Sequence, residues 1–165
     1  MKKTMITLVL LVAGTCVLLA QGNTQKTEQC PLALADIESV FGKGFSAGET
    51  RKIGDILSCK FSNKDYSIQI SINSGYGMKI DDYNKMMSPA TVTWKPVPND
   101  PDQARIEIRD DKKDDLASTP CVTYIRKDKY VRLQVLGNYY GYDQSKMAKL
   151  RDEMREKLAK LKHVP

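Results

Sequence analysis

The placement of two cysteines, Cys30 and Cys59, constrains the fold of this chain more than any other feature. The first precedes a segment with the apolar spacing of a short helix, and the second precedes a segment in which apolar and polar residues alternate. A disulfide between them would tie the helix to a sheet and stabilise the fold by roughly 3–4 kcal/mol. The alternative is two separately buried thiols, which the predicted export of the chain disfavours because disulfides persist in oxidising compartments.

The two elements on either side of this cysteine pair are well patterned. Leu34, Ile37 and Phe41 form an apolar helical stripe, and Gly42 follows where a helix can end on a glycine. Residues 66–73 alternate between Tyr or Ile and polar residues, which predicts a strand with one buried and one wet face. The glycine-rich residues between Gly42 and Cys59 are expected to be a connection.

Residues 1–20 are predicted to be a secretory signal peptide of bacterial type. Lys2 and Lys3 precede an apolar run, and Ala20 is the best small residue for cleavage. Cys16 raises the alternative of a lipoprotein, but Thr15 precedes it and the apolar run continues after it, which fits a lipid-attachment site poorly. Residues 21–29 are polar and predicted to be flexible, and residues 30–165 are predicted to form a single domain.

Cleavage of the predicted signal peptide would change the net charge and the number of cysteines of the mature chain. Loss of Lys2 and Lys3 lowers the formal net charge from +6 to +4, which does not indicate nucleic acid binding. Of the three cysteines that remain, Cys121 lies in a strand pattern and is predicted to be buried and reduced. An intermolecular disulfide or a redox role for this residue is the alternative.

The remaining segments predict an α+β fold, in which an antiparallel sheet carries helices on one face and is stapled by the disulfide. Ile80, Tyr83 and Met87 predict a short helix, with the adjacent Met86 and Met87 expected to fill the core rather than line a binding groove. Residues 143–162 predict a long helix with a buried stripe and a basic remainder. Further strands are predicted at 91–94, 104–109, 121–126 and 130–136.

This layout resembles a class of small bacterial exported proteins and lipoproteins of unknown function. The matching features are Cys30-Pro31-Leu32, Gly42, the segment Cys59-Lys60-Phe61 that opens a hairpin, and a C-terminal helix after Tyr142. The chain departs from that class in its poor lipid-attachment signal and in Cys121. The resemblance implies an α+β sandwich in the cell envelope, and it implies no activity.

The chain lacks the residues that several catalytic mechanisms and metal sites require. His163 is the single histidine and is expected in a frayed tail, which removes the usual histidine-based triads and zinc sites. Asp100-Pro101-Asp102 begins like a calcium loop, but Ala104 stands where a third ligand belongs. We predict no cofactor and no metal. Carboxylate pairs suited to a hydrolase occur at Asp81/Asp82, Asp110/Asp111 and Asp114/Asp115.

The function predicted from these patterns is an exported, non-enzymatic binding or accessory domain, periplasmic or extracellular, for a protein or envelope ligand that the sequence does not identify. Tyr139, Tyr140 and Tyr142 are the candidate contact surface, because tyrosine combines apolar area with a polar tip; the alternative is that they pack under the last helix. Two other functions stay open. One is a peripheral envelope protein whose basic C-terminal helix contacts anionic lipid, and the other is a hydrolase that uses paired carboxylates.

Overall fold

The computed structural model describes residues 29–88, 92–109, 119–137 and 144–165. Within these ranges it contains three helices and seven strands. In chain order they are α1 (Leu34–Phe41), β1 (Ser46–Ile53), β2 (Ile56–Ser62), β3 (Tyr66–Ser74), α2 (Ile80–Met87), β4 (Val92–Pro96), β5 (Arg105–Arg109), β6 (Cys121–Arg126), β7 (Lys129–Gly137) and α3 (Gln144–Ala159).

The seven strands form an antiparallel sheet in the order β1-β2-β3-β7-β6-β5-β4. The predicted α+β class with an antiparallel sheet is therefore confirmed. The centre of the sheet is the pairing of β3 with β7, which runs from Tyr66 opposite Gly137 to Ser74 opposite Lys129. This pairing joins two hairpins that are far apart in the sequence.

One face of the sheet, the inner face, carries the main core. Ile68 and Ile70 of β3 lie opposite Val135 and Leu133 of β7, and all four are buried. Helix α1 adds Ile37 and Phe41 to this core, and α3 with the tail after it adds further apolar side chains. Those side chains are Met154, Leu158, Leu161 and Val164. The alternation seen in the sequence thus corresponds to the burial that drives folding.

Helix α2 lies against the opposite face of the sheet. Tyr83 stacks on Tyr130 with ring centroids 4.0 Å apart, and Asn84 hydrogen-bonds with Thr123. Tyr130 and Thr123 alternate with inner-face residues of β7 and β6, so α2 is on the other side of the sheet from α1 and α3. The expectation of helices on one face therefore holds for α1 and α3, while α2 covers part of the second face.

The glycine-rich connection between α1 and Cys59 contains an unpredicted strand, β1. It forms one edge of the sheet and is exposed along almost its whole length, so it has no apolar alternation to reveal it. Its pairing with β2 is irregular between Ala47 and Thr50. A Cβ on Gly48 would lie 2.6 Å from the Lys60 carbonyl oxygen, so the close approach of the two strands requires glycine at this position.

The predicted disulfide between Cys30 and Cys59 is confirmed. The two Cα atoms lie 5.7 Å apart, and the bond links the segment before α1 to the middle of β2. Cys121 is buried and forms no disulfide within the described part of the chain, as the sequence predicts. Its side chain belongs to the face that α2 covers, together with Thr123 of the same strand.

We expect Cys30→Ser to lower the free energy of unfolding by roughly 2–5 kcal/mol, because the unfolded chain loses its cross-link. Cys121→Ala is the control and should cost less, because it trims a small buried side chain without opening a loop. Urea unfolding with and without reductant measures both. Equal losses in the two variants, or a wild-type stability unaffected by reductant, would contradict a stabilising role of the disulfide.

Candidate functional site

Among the described residues, α2 is the element packed on the face of the sheet opposite α1 and α3, and it leaves β1, β2, most of β3 and the end of β7 uncovered. We call this region the open polar face. Its residues are fixed by strand register, and most of them are polar, although the exposed Ile53 and Ile56 lie on the same face where β1 and β2 meet. They are Arg51, Ser58, Lys60, Ser62, Ser67, Gln69, Ser71, Gln134 and Leu136.

These side chains are arranged in rows that run across the strands. Lys60 of β2 lies opposite Gln69 of β3, which lies opposite Gln134 of β7. The neighbouring row joins Ser58 to Ser71, and the row on its other side joins Ser62 to Ser67. Directly opposed side chains in an antiparallel sheet have Cβ atoms about 4.5–5.5 Å apart, so each row presents adjacent hydrogen-bonding groups.

The open polar face contains a cavity of about 420 Å³. It is lined by residues of β1, β2 and β3, with one apolar side chain from β7. The lining residues are Glu49, Arg51, Ser58, Lys60, Ser62, Gln69 and Leu136. This volume is in the range of small-molecule sites, although the lining here is more polar than is usual for them.

Positive charge exceeds negative charge around this cavity. The guanidinium of Arg51 donates hydrogen bonds to the Glu49 carboxylate, and both side chains are largely exposed. The nearby Arg132 guanidinium instead donates to the buried Glu107 carboxylate at 3.1 Å. Lys60 is exposed, and its ammonium has no acceptor among the residues the structure describes. A ligand on this face would therefore meet an uncompensated cation.

A second hollow adjoins the cavity through Ser62 and Leu136, and it is bordered by the turn between β2 and β3 and by Gly137. Asn63 shapes this turn, because its side-chain oxygen accepts hydrogen bonds from the backbone N–H groups of Asp65 and Tyr66. The predicted contact residues Tyr139, Tyr140 and Tyr142 follow Gly137 in the chain. They lie outside the described residues, so their role stays a prediction.

The prediction that His163 sits in a frayed tail is wrong. The imidazole is held between two carboxylates, with Nε2 3.1 Å from Asp100 Oδ2 and Nδ1 2.5 Å from Asp102 Oδ2. It also stacks on the Tyr124 ring with centroids 4.0 Å apart. The exposed fractions of the three side chains are 11% for His163, 6% for Asp100 and 18% for Asp102. We call these three residues and Tyr124 the C-terminal clasp.

The groups around the C-terminal clasp are satisfied. Asp100 also accepts hydrogen bonds from the backbone N–H groups of Asp102 and Ala104, at 2.9 and 3.0 Å. The Tyr124 hydroxyl accepts one from the Val164 N–H at 2.9 Å, and burial raises the pKa of that hydroxyl, which keeps it neutral. The guanidinium of Arg126 also lies near this cluster, 3.4 Å from the carboxylate of Asp102.

The contacts of the clasp give it a structural role. Both carboxylates point at the histidine, and the described cavities of the open polar face do not include any of its residues. Within the described ranges, no group of three or more His, Cys, Asp or Glu side chains is arranged to hold a metal ion. The clasp fixes the chain end after α3 to β6 and to the loop between β4 and β5.

The paired carboxylates proposed for hydrolysis are only partly described. Arg105 binds the Asp81 carboxylate through two nitrogens at 2.7 and 3.0 Å, and these hydrogen bonds lower the pKa of Asp81. A carboxyl with a lowered pKa is a weaker candidate for a general acid at neutral pH. The pairs Asp110/Asp111 and Asp114/Asp115 lie outside the described residues.

The adjacent methionines of α2 are not in the core, contrary to the prediction. Met86 is 55% exposed and Met87 is 53% exposed, while Asn84 takes the buried position beside Tyr83. Asn84 is held there by hydrogen bonds with Thr123 and with the Tyr130 hydroxyl. A polar residue thus fills the helix face for which the pattern predicted an apolar one.

Among the described residues, no helix is both long enough and apolar enough to cross a membrane. Comparison with known proteins gives no match: no protein-family model, no curated protein and no solved structure matches the chain. Its function is therefore inferred from the chemistry of its own residues.

We expect His163→Ala to lower the free energy of unfolding by roughly 1–3 kcal/mol, because it leaves two largely enclosed carboxylates without the imidazole between them and removes the ring that stacks on Tyr124. The matched control is Lys162→Ala, one residue earlier, whose ammonium is largely exposed and 4.0 Å from Asp36. That change should cost less than about 1 kcal/mol. Urea unfolding of both variants tests the clasp, and two equally small effects would mean that the tail is not held.

Proposed function

We propose that the chain is an exported, non-enzymatic binding domain and that its ligand lies on the open polar face. The observation that carries the proposal is the polar cavity over β1, β2 and β3, lined by Lys60, whose ammonium has no acceptor within the described residues. An antiparallel sheet with one face on the core commonly leaves its other face in water. Here that wet face is hollow and rich in hydrogen-bonding groups, which supports binding rather than mere solvation.

The disulfide supports the predicted compartment. Bridges of this kind form and persist in secreted and periplasmic proteins. The bond between Cys30 and Cys59 joins two elements of the fold, and Cys59 itself is buried. Together with the signal-like residues 1–20, it favours a mature protein that works outside the cytoplasm, in the periplasm or beyond the cell.

The lipid-binding alternative is weakened by where the basic side chains of α3 lie. Arg151 and Arg155 are buried, and Lys157 lies over the Phe41 ring, 5.9 Å from its centroid. Among residues 149–162, the exposed charged side chains are balanced in sign. They are Lys149, Lys160 and Lys162 against Asp152, Glu153 and Glu156. A neutral surface of this kind has little electrostatic attraction for anionic lipid.

We expect export to remove the residues up to about Ala20. The intact mass of the protein secreted by a bacterial host measures the cleavage directly, and a host with its signal peptidase inhibited is the control. Retention of residues 1–20 would contradict export by this route. A diacylglycerol mass on Cys16 would instead show that the chain is a lipoprotein.

We expect a photo-crosslinking residue at Ser62 to capture a ligand in the intact cell envelope, because Ser62 borders both hollows of the open polar face. The same residue placed at the exposed Lys149 of α3 is the matched control. The adduct should form at Ser62, be absent at Lys149 and disappear when unlabelled mature protein is added in excess. Adducts that are absent at Ser62, or identical at both positions, would contradict a binding role for this face.

A further inference from the structure

We propose that the ligand of the open polar face is an acidic saccharide, bound through its carboxylates and its hydroxyl groups. This rests on the proposed function and names the chemical class of its ligand. The cations Lys60 and Arg51 would meet the carboxylates. The serine and glutamine rows would meet the hydroxyl groups.

The charge on this face selects for an anion. Lys60 is exposed, and its ammonium contacts no acceptor within the described residues, so a ligand carboxylate can approach it without displacing a protein group. Of the residues that the structure describes, Arg51 is bound only to Glu49, and the side chains of that pair are 71% and 72% exposed. Exposed ion pairs contribute little free energy, so Arg51 can exchange its partner for a ligand carboxylate at low cost. The planar guanidinium suits two-point binding of a carboxylate.

The neutral groups on this face select for hydroxyls. Serine hydroxyls and glutamine amides both donate and accept hydrogen bonds, as sugar hydroxyls do. Gln69 Nε2 donates to Ser58 Oγ at 3.1 Å, which leaves the Ser58 hydroxyl hydrogen and Gln69 Oε1 for a ligand. The rows Lys60–Gln69 and Ser62–Ser67 continue this surface along β2 and β3.

The shape of the site disfavours other anions. A small ion such as phosphate would bind the Lys60 ammonium and leave the rows of serine and glutamine side chains without a partner from the ligand. A flat anionic membrane could not reach the floor of a cavity of about 420 Å³ between β1 and β3. An extended ligand that carries both carboxylates and many hydroxyls uses the cations and the rows together.

The test is titration of the mature protein with a hexamer of galacturonic acid, compared with maltohexaose, a neutral α-1,4-linked hexasaccharide that lacks the carboxylates and differs in configuration at C4. Calorimetry gives the affinities, and NMR of the backbone amides locates the binding. We expect saturable binding of the acidic hexamer with shifts confined to β1, β2 and β3, and binding of maltohexaose weaker by at least about tenfold, as loss of a charge-assisted hydrogen bond implies.

Two matched variants separate a built site from general attraction. Lys60→Gln removes the cation at the cavity and should weaken binding by at least about fivefold, whereas Lys149→Gln removes an equally exposed lysine of α3 and should leave it unchanged. Equal losses in the two variants would overturn the proposal, since they would show unspecific electrostatic binding. Equal affinity for maltohexaose would also overturn it, since the ligand would then not need a charge.

The outcome is separable from that of the proposed function. If the acidic hexamer does not bind while the cross-link at Ser62 still forms, the ligand class is wrong and the binding face stands. If neither is observed, both the ligand class and the binding role are wrong.

Discussion

The structure depends on the antiparallel pairing of β3 with β7. The register of this pair decides which side chains of both strands face the core and which face the other side of the sheet. Ile68 and Ile70 of β3 meet Val135 and Leu133 of β7 on the inner face, and the same register places Gln69 opposite Gln134 on the other face. Because side chains alternate strictly along a strand, a shift of one residue would exchange the two faces. The core that stabilises the fold and the polar surface that we propose binds a ligand are therefore set by one and the same pairing.

The two ends of the described chain are fastened to the sheet by different means. Before α1 the fastening is covalent, since Cys30 is bonded to Cys59 of β2. After α3 it is non-covalent, since His163 lies between the carboxylates of Asp100 and Asp102 and stacks on Tyr124. Both fastenings act near the inner face, and they hold α1 and α3 over the core. On the opposite face, α2 covers one end of the sheet, and no other described element covers the rest.

The sequence predicted the elements whose burial is periodic and missed those whose position depends on distant partners. α1, β3 and β6 follow from local spacing, which single-sequence patterns report well, and the disulfide follows from the predicted export and from the positions of its cysteines beside two patterned elements. β1 is an exposed edge strand, and nothing in its residues alternates. His163 was misplaced because its partners, Asp100 and Asp102, come from a loop remote in the sequence. The cavity could not be found, because it requires knowing that β1, β2 and β3 are neighbours and that α2 stops short of them.

The order of the strands also has a kinetic consequence. The β2–β3 hairpin is local, but the second edge of β3 can be closed only by β7, near the end of the chain. Folds dominated by such non-local contacts fold slowly, because a long loop must be closed before the contacts form. For the export that we propose, this delay is an advantage, since the central sheet cannot assemble until the C-terminal hairpin has also crossed the membrane.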